Sequence, residues 1–169
     1  MSEATTIEPI ASDVEQSKKQ TTVGNYFVSN YPPFSCWKPE FVGDALGALD
    51  RPPQPGTHLG VYLHIPFCRK RCHFCYFKVY TDKDATAIKA YLEAALTELR
   101  LYSAKPFIGD RQPSFIYFGG GTPSYLSVGQ LQHLTGQMKA LLPWDKADEV
   151  TFECEPGTLP DHKLKAIRE

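Results

Sequence analysis

The chain has 169 residues, 42% of them hydrophobic and 22% charged, and a formal net charge of −1. That length suits one domain and is short for two, while the near-neutral balance argues against a nucleic-acid binder working through a broad basic surface. No run approaches the ~18 apolar residues of a membrane span. The N-terminus places Glu3, Glu8, Asp13 and Glu15 before its first lysine, Lys18. This is the opposite of a basic secretory or transit leader, so the expected location is the cytoplasm.

Residues 1–25 are mostly Ser, Thr, Glu, Gln and Lys with few large apolar groups. They bury too little surface to offset the entropy of ordering and read as a disordered polar tail. Residues 26–57 form an aromatic, proline-rich arm and linker, in which Tyr26, Phe27, Tyr31, Phe34, Trp37 and Phe41 are interleaved with prolines. Aromatics at this density are expected to pack across the following domain, and the prolines to forbid a regular element. Residues 51–56, with Pro52, Pro53, Pro55 and Gly56, read as linker or turn.

From Leu59 the pattern becomes regular. Leu59, Val61, Leu63 and Ile65 alternate with Gly60, Tyr62 and His64, a strand period that Pro66 ends. A helix is predicted over about 84–102, with Ile88, Tyr91, Leu92, Ala95, Leu96 and Leu99 on one face and Asp82 or Asp84 as its cap. Residues 114–118 read as a short apolar strand running into Gly119, Gly120 and Gly121. Ser127 with Gln130 has the capping-box pattern and opens a helix whose apolar face is Leu131, Leu134, Met138 and Leu141. A third strand is predicted over 149–153, and a third helix begins in 159–169. Strand followed by helix, three times, is an α/β pattern with parallel strands that curl towards a partial or full barrel. The 112 residues 58–169 suffice for about three βα units at ~30 residues each. The expectation is therefore an incomplete core domain, the first part of something longer.

The five cysteines are Cys36, Cys68, Cys72, Cys75 and Cys154. Three of them within eight residues point to metal or redox chemistry and not to a disulfide framework. Cys36 and Cys154 stand alone and read as small buried hydrophobes. Cys68, Cys72 and Cys75 have the spacing C-x3-C-x2-C in the loop just past the first strand, where barrel active sites are built. Three thiolates on one loop can each bind one iron of a cubane and leave the fourth iron open. Zinc is the alternative, but it wants four ligands. His73 sits too close to its neighbours to complete that set comfortably, and Cys154 would have to serve. The spacing favours a cluster. Arg69, Lys70 and Arg71 lie between the ligands and are expected to ease thiol deprotonation.

This spacing and its flanks resemble the radical SAM superfamily. Tyr62, His64, Ile65, Pro66, Phe67 and Cys68 match the Y-x-H-I-P-[FW]-C opening of one branch, the oxygen-independent coproporphyrinogen III oxidase and HemW-like heme chaperone family. Gly119, Gly120, Gly121, Thr122, Pro123 and Ser124 are similar to its G-G-G-T-P-[ST] motif. Glu153, Pro156, Gly157 and Thr158 are similar to its E-x-N-P-G-T motif, with Glu155 where that family often has Asn. The three motifs fall in order on three successive strand ends.

The resemblance implies the N-terminal part of a partial (β/α)6 barrel. It implies a [4Fe-4S] cluster on Cys68, Cys72 and Cys75, with S-adenosyl-L-methionine (SAM) on the open iron. Gly119, Gly120 and Gly121 would let the backbone approach the SAM ammonium, with Thr122 at the same end. Glu153 would take the ribose hydroxyls, and Tyr62 and Phe74 would lie near SAM and the cluster. Without the resemblance, Tyr62 and Phe74 read equally well as core, His64 as a structural histidine and the triple glycine as a turn. Glu155 is given no catalytic role. The implied reaction is reductive cleavage of SAM to a 5′-deoxyadenosyl radical, fed by a one-electron reductant such as flavodoxin or ferredoxin, with a porphyrin or heme-type ligand. Decarboxylating members continue the motif as C-x2-C-x-C, and here that last position is Phe77, which moves the chain towards the HemW-like members. Coproporphyrinogen dehydrogenation, HemN-like methyl transfer, and an inactive fragment or zinc-binding module are the alternatives.

Overall fold

The computed structural model describes residues 37–169. The tail expected over 1–25, the arm residues 26–36 and Cys36 lie outside the described residues. The chain divides into two compact units, Met1–Gly43 and Asp44–Glu169. In the first, Pro39–Phe41 forms a 3-10 turn. Helix α1, Val42–Leu49, follows it. The sequence reading had no regular element here, and the helix corrects it. Between Pro39 and Pro52 there is no proline, so every amide is free to enter helical hydrogen bonds, and the helix stops short of Pro52 as the steric restriction before proline requires.

The second unit contains β1 (Gly60–Ile65), α2 (Ala85–Ser103), β2 (Phe115–Gly120), α3 (Val128–Leu141), β3 (Glu149–Phe152) and α4 (Asp161–Arg168). The strands form one open parallel sheet in the order β1-β2-β3, as the α/β pattern predicts. Val61 lies beside Ile116 and Leu63 beside Phe118; Ile116 lies beside Val150 and Phe118 beside Phe152. Because side chains alternate along a strand, this row faces the helices. There Ile65, Ile116 and Phe118 join Ile88, Leu92 and Leu96 of α2 and Leu131, Leu134 and Met138 of α3 in the main core.

The helix starts match their sequence signals. Asp84 caps α2, its carboxylate accepting from the Ala87 amide at 2.8 Å, and Ser127 with Gln130 closes a reciprocal capping box on α3. One core expectation shifts by a residue: Leu142 is buried and Leu141 only partly. Leu142 is the C-cap of α3 with extended dihedrals, which turn its side chain into a small cluster with Leu59 and Ile108. No helix among the described residues is long and apolar enough to cross a membrane.

Candidate metal and cofactor site

Parallel strands bring their C-terminal ends, and the loops that follow, to one edge of the sheet. The loop after β1 is pinned at both ends. On the β2 side, Gly121 N donates to Ile65 O at 2.8 Å and Thr122 N to Phe67 O at 2.9 Å. On the other side, Tyr80 N donates to Pro66 O at 2.8 Å and Cys68 N to Tyr80 O at 3.0 Å. The buried Phe67 ring packs edge-on against Tyr91 of α2 at 5.3 Å. Within the loop, Cys75 N donates to Cys72 O at 3.0 Å. The Arg71 guanidinium spans its far limb, donating to Phe77 O at 3.0 Å and Cys75 O at 2.8 Å.

This frame grades the three thiols. Cys68 is buried, Cys75 half-buried and Cys72 exposed. Burial pushes the Cys68 thiol up from its ordinary value. Thr122, whose hydroxyl lies 3.4 Å from the sulfur, pulls it back. Cys75, Cys72 and Glu155 add smaller upward pushes. The expectation that the intervening cations ease deprotonation is therefore corrected for Cys68. Arg71 is engaged with loop carbonyls, and Arg69 reaches across to Gly157 O at 2.6 Å.

Cys68, Cys72 and Cys75 line one cavity of about 610 Å³ together with Phe74, Gly120, Gly121, Thr122 and Glu153, a volume within the ~300–1,000 Å³ of small-molecule sites. Tyr62 and Gly119 stand outside that lining, on the adjoining sheet face. Phe74 is 71% and Tyr62 55% exposed, so neither is a core residue. Among the described residues, no three His, Cys, Asp or Glu side chains converge as a single-ion centre.

The glycines after β2 have a local reason. Gly120 has φ +112°, and a Cβ there would lie 2.6 Å from the His64 ring. A Cβ on Gly121 would lie 2.9 Å from Ile65 O and 3.0 Å from both Phe67 O and Cys68 Sγ. A side chain at 121 would keep the cysteine loop from closing onto β2.

Glu153 follows β3. Its Oε1 accepts from the Tyr117 hydroxyl at 2.7 Å and its Oε2 from the Gly120 amide at 3.0 Å. The bond to the carboxylate pushes the Tyr117 phenol up. Tyr117 also stacks on Tyr62, with centroids 5.9 Å apart. The Tyr62 hydroxyl in turn meets His64 Nδ1 at 2.9 Å. The sequence reading missed Tyr117; strand alternation, which sets it on the same face as Tyr62 and Glu153, was the available signal. It also missed Ser124, which is buried. The Ser124 hydroxyl accepts from Glu155 N at 2.9 Å and pairs with the Thr158 hydroxyl, stitching the loop after β2 to the loop after β3. Cys154 was expected to be buried. It is exposed and lines the same cavity as the other thiols, because β3 is an edge strand with nothing paired beyond it among the described residues.

No family model matches the chain. Over 130 residues it is 30% identical to the oxygen-independent coproporphyrinogen III oxidase of Cereibacter sphaeroides, covering 77% of this chain and 28% of that one. It is 29% identical over 143 residues to the Synechocystis protein of the same name, with coverage of 83% and 30%. Against the heme chaperone HemW of Haemophilus influenzae it is 31% identical over 109 residues, with coverage of 63% and 28%. The solved structure of coproporphyrinogen III oxidase (HemN) from Escherichia coli, a radical SAM enzyme, matches with a TM-score of 0.73 at 26% identity, over 84% of this chain and 32% of that one. The chain spans under a third of the length of these relatives. With three parallel strands in common and the three motifs in order on their ends, the chain belongs to the radical SAM family of oxygen-independent coproporphyrinogen III oxidases and HemW-like proteins.

Proposed function

We propose that this chain holds a [4Fe-4S] cluster on Cys68, Cys72 and Cys75 with SAM beside it, and that it serves porphyrin or heme metabolism. The observation that carries this reading is the shared cavity: three thiols from one loop, the glycine turn after β2 and the Glu153 carboxylate all border it. Thiols set around a volume suit a cubane, in which each takes a separate iron. The donor set therefore fits the group. When bound, the cluster supplies one electron and SAM the carbon radical for hydrogen abstraction; the protein orients both and keeps water out.

The residues present divide that work. Arg71 and the pinned loop ends fix the spacing of the thiols before any metal arrives. The Thr122 hydroxyl donates to Cys68 Sγ and so favours its thiolate. Each Glu153 oxygen accepts one hydrogen bond and keeps a second lone pair, enough to accept from two ribose hydroxyls. Tyr117 and the Gly120 amide hold the carboxylate in place for it. Tyr62 and Gly119 extend the floor of the site along the sheet, and Phe74 offers an exposed ring at the rim.

Within the family, Phe77 favours a HemW-like role in binding or delivering heme over propionate decarboxylation. It occupies the position of the decarboxylases' additional cysteine, lines the same cavity and lies 6.2 Å from the His64 ring. A flavodoxin- or ferredoxin-type donor and a cytoplasmic setting complete the reading. Anaerobic reconstitution with iron and sulfide tests it, followed by assay of iron per chain and of 5′-deoxyadenosine from SAM after reduction. About four irons per chain with SAM cleavage supports it. Iron without cleavage restricts it to cluster binding, and zinc in place of iron overturns it.

A further inference from the structure

A second cavity, of about 540 Å³, opens between the cysteine loop, the loop after β3 and α4, and shares only Pro156 with the first. Two cations line it, Arg69 and Lys163, with Tyr125, Gly157 and Thr158, and no carboxylate does. Both cations are held in place. Arg69 Nη2 donates to Gly157 O at 2.6 Å, and Lys163 Nζ donates to Ser124 O at 2.8 Å. A guanidinium carries five N–H donors and an ammonium three, so each keeps donors beyond the carbonyl that fixes it.

Neither enters a salt bridge among the described residues. Burial, and after it the charge of nearby Arg69, pushes the Lys163 ammonium below its ordinary value. The chain has 19 acidic residues for 18 basic ones, so a compensating carboxylate was not scarce. Elsewhere the fold supplies one, as for Lys105 on Asp50 at 2.7 Å.

We propose that this cavity binds an oxyanion, the phosphate or carboxylate group of a small molecule, between Arg69 and Lys163. Charge-assisted hydrogen bonds from a planar fork and a point cation, both already oriented, are the chemistry that recognises such a group. Arg69 directly follows Cys68, so an occupant also steadies the first cysteine of the loop. The site stands on the fold alone and does not depend on the cluster.

The test titrates the full chain, without cluster, with inorganic phosphate at constant ionic strength, chloride making up the balance, and follows backbone amide shifts by NMR. A parallel titration uses acetate. Saturable shifts confined to the surroundings of Arg69, Gly157 and Lys163 are expected. They should weaken at least tenfold in both Lys163→Met and Arg69→Gln and stay unchanged in Lys89→Met, an exposed lysine of α2 outside the cavity. Whichever anion saturates at lower concentration identifies the group. Shifts that grow without saturating, or that saturate equally in the cavity variants and the Lys89 control, overturn the proposal. Should one cavity variant fail to fold, the other carries the comparison.

Discussion

The two faces of the sheet differ in nearly every physical respect. Towards α2 and α3, Ile65, Ile116 and Phe118 are no more than 2% exposed. On the opposite face, Tyr62 and Phe115 are 55% and 45% exposed, and His64, Tyr117 and Glu153 are joined by hydrogen bonds and ring contacts. Parallel strands buried on both faces read as continuous apolar runs; β1 alternates. Alternate residues of the same strands therefore carry separate tasks. The helix-facing set holds the fold, and the open set carries the polar and titratable side chains.

The largest expected effects test that division directly. The Phe118 ring sits 5.2 Å from Phe152 and 6.5 Å from Trp144, centroid to centroid. Phe118→Ala should cost about 3–5 kcal/mol in urea unfolding. Tyr62→Phe, on the open face, removes one exposed hydrogen bond and should cost about 1 kcal/mol or less. Equal costs would mean that the open face is as much a part of the core as the covered one.

Next comes the join between the faces. Gly121→Ala drives a methyl against two carbonyl oxygens that are fixed in backbone hydrogen bonds, so the cysteine loop must shift. A loss of about 1–3 kcal/mol is expected, with less iron retained after reconstitution. Gly136→Ala in the middle of α3 meets nothing within 4 Å and should stabilise by roughly 0.5–1 kcal/mol, because alanine suits a helix interior better than glycine. If the two substitutions behave alike, glycine at 121 is not there for close approach.

Much of this was legible in the sequence because it is local. Periodicity placed the three strands and helices α2–α4, the Asp84 and Ser127 caps announced two helix starts, and cysteine spacing singled out the loop whose three thiols line one cavity. What escaped depends on distant partners or on a single turn of backbone. Helix α1 was hidden by the prolines around it, although none lies within it. Leu142 replaced Leu141 in the core because the helix ends between them. Tyr117 reaches Glu153 at the end of the neighbouring strand, and that pairing exists only once the register is set. The cations in the cysteine loop looked like charge for the thiols, but Arg69 and Arg71 spend hydrogen bonds on carbonyls that the sequence could not place.

The gradient of exposure along the cysteine loop gives a smaller, graded prediction. Without cluster, iodoacetamide at about pH 8 should modify exposed Cys72 fastest and buried Cys68 slowest, read by peptide mass spectrometry. Only the thiolate reacts, and burial holds Cys68 protonated to higher pH than an ordinary thiol. Its rate should therefore keep rising with pH, and Thr122→Val, which removes the hydroxyl near its sulfur, should slow it further. Equal rates for Cys68 and Cys72 would deny the buried position of the loop's first cysteine.

The smallest effect concerns His64 on the open face. Burial pushes its pKa below the ordinary 6.5, and the Glu153 carboxylate pulls partly the other way. The folded chain thus binds this proton less readily than the unfolded chain. The resulting stability is fully present above about pH 6.5 and is lost as pH falls through the lower folded value. A neutral ring can accept the Tyr62 hydroxyl at Nδ1, whereas a protonated ring can only donate, so protonation also forces that hydroxyl to turn. Urea midpoints should fall from about pH 7.5 to about pH 5.5, and His64→Gln should flatten part of that fall. Coincident pH profiles for the two chains would show that the histidine is solvated in the folded state, and that the open face excludes less water than its ring contacts imply.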